Sequence, residues 1–122
     1  MIIDHIRDIK EFKHLFDTRP MDAGIFGYDF IIKNPCLYCF YDEKTGQLRG
    51  YISLYQDEKD RTMLCGASVR HNMSDNIKAI IKVCNAYKQD IYADTDKKEA
   101  KICLLKAGFK KVSNNLYVRR HK

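Results

Sequence analysis

Apolar and polar positions alternate in two periods along this chain, and the switches between them mark its elements. Thr62–Val69 is a short apolar run bounded by charge, which predicts a strand. After Arg70-His71-Asn72-Met73, Ser74 is the expected cap of a helix. Within that helix Ile77, Ile80, Ile81, Cys84 and Tyr87 recur at steps of three and four, an apolar stripe on one face. Asp90–Asp94 then reads as a short buried strand. A second helix from about Asp96 sets Ala100, Cys103, Leu104 and Ala107 on one side. Gly108 suits the left-handed residue that stops this helix, and Phe109 is placed to fold back onto its last turn. Strand, helix, strand in this order predicts neighbouring parallel strands joined by a right-handed crossover. The loop before Ser74 then falls at the carboxyl edge of the sheet, where open α/β sheets bind ligands.

The earlier part of the chain follows the same logic. Met1–Ile6 is expected as an edge strand. Asp8 is the expected cap of a helix to about Phe16 that buries Ile9, Phe12, Leu15 and Phe16, with Thr18-Arg19-Pro20 ending it. Asp22–Lys33 allows a second helix through Ile25, Phe26, Phe30 and Ile31, weakened by Gly24 and Gly27. Asn34-Pro35 signals a turn. Leu37–Tyr41 and Leu48–Tyr55 form a hairpin around Glu43–Gly46, and Gln56–Arg61 is a charged turn into Thr62. A final pair, Phe109–Val112 and Leu116–Arg120, closes on Ser113-Asn114-Asn115.

A length of 122 residues without linker or repeat predicts one domain. No apolar run nears the ~20 residues of a membrane helix. A basic leader followed by an apolar run is not evident at Met1–His5, so no secretion signal is expected. Five cysteines, mostly inside apolar patterns, fit buried thiols in a reducing cytoplasm rather than a disulfide frame. Cys36-x-x-Cys39 lacks a second pair and, in a strand, would face opposite ways, so no metal is expected. The run Tyr38, Phe40, Tyr41, Tyr51 and Tyr55 reads as sheet packing. The net charge of +6 gathers partly in Lys97-Lys98, Lys110-Lys111 and the tail Arg119-Arg120-His121-Lys122. Its plain reading is a solvated surface with a frayed basic end; its sharper one is attraction to an acidic partner such as nucleic acid, contacted non-specifically through that tail, a phosphorylated cofactor or an acidic protein face. No base-reading motif accompanies the charge.

The element order, with the segment Ala100-x-x-Cys-Leu-x-x-x-Gly-Phe109, resembles the GNAT N-acetyltransferase superfamily. The resemblance implies an α/β (α+β) single domain: a mixed six- to seven-stranded sheet, three to four helices and a central parallel strand pair. It further implies acetyl-CoA bound where Thr62–Val69 and Asp90–Asp94 splay apart, with Gly66 compatible with a bulge that opens the splay or with a small residue under a crossing helix. Cofactor contacts would then fall on Val69, Ser74, Asp75, Asn76, Ile77 and Lys97.

The sequence departs from the family at its chemistry. The family loop places glycine where this chain has Ile77, and an Ile there obstructs a pyrophosphate approaching the backbone; Asp75 adds opposing charge. The family's general-acid tyrosine corresponds to Leu104, which carries no proton. Substitute catalytic candidates are His71, Asp94 and Tyr117, together with Tyr92. These departures favour a non-catalytic interaction or assembly module with a protein partner, of the kind found among phage GNAT-like proteins and virion components. The alternative is an acetyl-CoA-dependent N-acetyltransferase acting on an amine.

Overall fold

The structure, a computed structural model, describes residues 1–18, 27–69 and 72–121. In chain order its elements are β1 (Ile2–Asp4), α1 (Ile9–Thr18), α2 (Tyr28–Lys33), β2 (Leu37–Tyr41), β3 (Leu48–Gln56) and β4 (Thr62–Ser68). They continue as α3 (Met73–Asn85), β5 (Ile91–Asp94), α4 (Lys98–Lys106), β6 (Lys110–Lys111) and β7 (Leu116–Arg119). Together they make a single domain around a seven-stranded mixed sheet ordered β1-β2-β3-β4-β5-β7-β6. Every neighbouring pair is antiparallel except β4 and β5, the parallel pair that the strand–helix–strand order predicts.

Strand alternation splits the core in two. Phe40, Ile52, Leu54, Leu64, Ile91, Ala93 and Tyr117 face α3 and α4, meeting Ile80, Val83, Cys84, Cys103 and Leu104. Leu37, Cys39, Tyr41 and Tyr51 face the other way, against Phe12, Leu15 and Ile31 of α1 and α2. Each fully buried Leu, Ile or Phe contributes about 1.5–3 kcal/mol. Cys36 packs against the first cluster and Cys39 belongs to the second, so the two thiols lie on opposite faces. All five cysteines are free. Among the described residues no group of His, Cys, Asp and Glu could hold a metal ion, and no helix is long and apolar enough to cross a membrane.

Local chemistry sets the boundaries. Asp8 Oδ1 accepts from the N–H groups of Lys10 (2.9 Å) and Glu11 (3.3 Å), so Asp8 caps α1 as expected. The buried face of α1 is narrower than its sequence suggests: Phe12 and Leu15 are buried, while Ile9, in the first turn, is 61% exposed. Gly108 has φ +95°, the N–H of Phe109 reaches the Leu104 carbonyl (3.0 Å) and that of Gly108 the Leu105 carbonyl (3.2 Å). This pair of bonds is the Schellman stop of α4, and it buries Phe109. Ile25 and Phe26, read as part of a second helix, lie outside the described residues, and α2 begins at Tyr28.

Two expectations are corrected. Ser74 does not cap α3: the helix starts at Met73, the cap position is Asn72, and Ser74 is an exposed first-turn residue. No bulge sits at Gly66, because the β3–β4 register runs unbroken from Gln56 opposite Thr62 to Gly50 opposite Ser68. The irregularity lies instead between β2 and β3 at Phe40 and Tyr41. What requires glycine at position 66 is the neighbouring strand, since a Cβ there would collide with the Tyr51 carbonyl.

Candidate functional site

The parallel pair supplies the site. β4 and β5 are in register at Met63 opposite Tyr92. Beyond that position Leu64, Cys65 and Gly66 on one strand, and Ala93, Asp94 and then Thr95 on the other, line a slot of about 550 Å³. Its volume falls in the roughly 300–1,000 Å³ range of small-molecule sites. Ile52 of β3 contributes to its wall, and Asn76 and Ile80 of α3 meet Ala100, Cys103 and Leu104 of α4 around it. Residues from both faces of the sheet take part, so the slot runs between the strands.

The rim is charged and comes from the β3–β4 turn: Asp57, Glu58 and Arg61, with Asp94. Asp57 organises that turn. Its Oδ1 accepts from the N–H groups of Arg61 (2.8 Å) and Lys59 (3.0 Å), and its Oδ2 binds the Arg61 guanidinium at 2.9 Å. The Arg61 N–H and guanidinium hold the Asp57 carboxyl below the usual carboxylate range. Arg61 in turn lies 5.2 Å from the Tyr92 ring centroid, a cation–π contact. Asp60 takes the left-handed conformation (φ +61°) that closes the turn.

The thiols here are not poised nucleophiles. Burial pushes Cys65 up to about 12 and raises Cys103, an effect that the nearby Asn76 side chain opposes. Burial likewise moves the Tyr55 phenol up to about 12. Tyr51, fully buried, also lines the slot, and its hydroxyl has no hydrogen-bond partner among the described residues.

The sequence candidates divide. Asp94 and Asn76 line the slot. Ile77 does not: it packs, half-buried, against the core beneath α3. Tyr117 is buried opposite Ala93 in the first core cluster and is not part of the slot lining, nor is Tyr92. Val69 donates its N–H to the Arg49 carbonyl (2.9 Å) and packs against the α1 side of the sheet. Ser74 is exposed and Asp75 half-buried in the first turn of α3; Lys97 is exposed at the cap of α4, its N–H on Thr95 Oγ1 (3.2 Å). His71 lies outside the described residues. Sequence reasoning missed Asp57, Glu58 and Arg61, whose signal was the charge density of the Gln56–Arg61 turn.

No family model, curated protein or solved structure matches this chain.

Proposed function

We propose that this chain is a GNAT-like domain that holds an extended acyl thioester of the acetyl-CoA type between β4 and β5. The observation that carries the reading is the slot itself, which opens between two parallel strands just past their single register position. Its walls of Ile52, Leu64, Ile80, Ala93 and Leu104 suit an extended, largely uncharged arm. Engagement of Ile77 in the core takes the side chain away from the slot, which supports entry of the ligand. The activity that follows is N-acetyl transfer, in which the amine attacks the thioester directly and the domain contributes positioning. Asp94, the rim carboxylate at the end of β5, is a group placed to receive a proton or hold the ammonium form.

A second reading, a binding module without turnover, draws support from Leu104. It lines the slot at the position of the family's acid and cannot donate a proton, and general acid catalysis is worth typically 10²–10⁴-fold. In that reading the domain serves an assembly with a protein partner, in the cytoplasm or in a phage virion. Release of free CoA thiol from acetyl-CoA in the presence of a panel of primary amines separates the two. Release dependent on amine and abolished in Asp94→Asn supports transfer; tight binding without release supports the module.

A further inference from the structure

The basic charge of this chain is segregated in sequence and in space. Residues 75–122 hold 12 of the 22 Lys and Arg and only 5 of the 16 Asp and Glu. The arginines of the basic tail are committed within the fold rather than frayed. Arg119 donates to the Ala107 carbonyl (3.3 Å) and to Asn85 Oδ1 (2.6 Å), tying together the carboxyl ends of α3 and α4. Arg120 pairs with Asp90 at 2.9 Å. Most of the remaining described cations sit on the two helices and on the edge strand beside α4, with Lys88 and Lys97 just outside the helices. Both helices cover one face of the sheet side by side, with Ile80, Val83, Cys84, Cys103 and Leu104 turned inward. Lys78, Lys82, Lys98 and Lys106 are exposed on them, and Lys110 and Lys111 are exposed on β6. None of these six forms an ion pair with a described residue.

We propose that the outer face of α3 and α4, with Lys111 of β6, which pairs with Tyr117 on the side of the sheet that the helices cover, docks the phosphodiester backbone of double-stranded nucleic acid without reading its sequence. Lys78 and Lys82, one helical turn apart, rise about 6 Å along the axis, a spacing that serves successive phosphates. Lysine is a flexible point charge suited to phosphate contact but not to bidentate base recognition. An acidic protein partner is the less suited occupant. Protein interfaces centre on apolar or aromatic residues, whereas the large apolar side chain exposed on α4, Leu105, has Lys106 beside it and Lys98 two turns back. This surface is separate from the slot and does not depend on what the slot binds.

The test is fluorescence anisotropy with a labelled DNA duplex of about 20 bp and arbitrary sequence, titrated at several salt concentrations. Binding at low salt that weakens with a log–log slope of about −4 to −5, as for roughly five phosphate contacts, is the expected result. Lys78→Gln/Lys82→Gln/Lys98→Gln/Lys106→Gln should weaken binding at least about tenfold and flatten the slope. Lys44→Gln/Lys59→Gln, on the two hairpin turns, should leave both unchanged. Circular dichroism melts establish that each variant is folded, and the single variants Lys98→Gln and Lys111→Gln give the same direction should the quadruple one not fold. No binding at low salt overturns the proposal, as does equal loss in the control pair. Competition by poly-glutamate as effective as that by unlabelled duplex would also overturn it, in favour of an acidic protein partner.

Discussion

Met63 stands opposite Tyr92, and that one position sets the register of the parallel pair at the centre of the sheet. Carboxyl-terminal to it, Leu64, Cys65 and Gly66 on β4 and Ala93, Asp94 and Thr95 on the other side line a slot, while each strand stays paired with its outer neighbour. Gly66 keeps β4 close to β3 on the other side, because any Cβ there would meet the Tyr51 carbonyl and approach the Ile52 Cα to 3.2 Å. Gly66→Ala should therefore lower stability by about 1–3 kcal/mol, the usual cost of overpacking, measured by urea unfolding. A neutral substitution would contradict this account of the strand.

Asn34 fastens the entry to β2. Its amide donates to Ser53 Oγ (2.6 Å) and to the Leu54 carbonyl (2.9 Å), and its Oδ1 accepts from the Cys36 N–H (3.0 Å). Ser53 is fully buried, so Asn34→Ala leaves its hydroxyl without that partner. The expected loss is about 2 kcal/mol in equilibrium unfolding, and a loss below about 0.5 kcal/mol would show that the bonds are replaced on mutation.

Asp57 ties stability to pH. The Arg61 N–H and guanidinium lower its folded-state value below the 3.8 of an unperturbed Asp. A depressed carboxylate stabilises the fold fully above the unfolded value and loses that contribution as pH falls through the folded one. The difference in melting temperature between the wild type and Asp57→Asn should thus be largest near neutrality and shrink as pH drops below 3.8. A difference that stays constant across this window would assign the effect to something other than ionisation.

The thiols should be slow to react in the native state. Burial lifts Cys39 and Cys65 to about 12 and Cys84 to about 11, far from the thiolate form at neutral pH. Mass spectrometry after brief alkylation at pH 8 should find these three unmodified and all five modified in denaturant. Rapid native modification of Cys65 would mean that the slot exposes and activates it.

Much of this architecture was legible because local signals agreed. Apolar periodicity marked β2 to β5 and both later helices, and Gly108-Phe109 announced the stop of α4 through a conformation that glycine adopts readily. What escaped was anything decided across the sheet. The glycine at position 66 answers to a carbonyl on β3, which no reading of β4 alone reveals. Ile77 looks like an obstacle when aligned with a family loop, yet it lies on the same helical stripe as Ile80 and Cys84 and packs with them. The rim residues Asp57 and Arg61 read as an ordinary charged turn until the slot is seen beside them.

Isothermal titration calorimetry with acetyl-CoA, on the wild type and on Ala100→Phe, addresses the slot most directly. Ala100 is half-buried and lines the slot, so a phenyl group there fills space that a ligand needs. Saturable binding by the wild type, weakened at least about tenfold (about 1.4 kcal/mol) in Ala100→Phe, is the predicted result. No heat of binding at about 1 mM acetyl-CoA, where any useful affinity would register, would contradict it, and so would equal affinity in a folded Ala100→Phe.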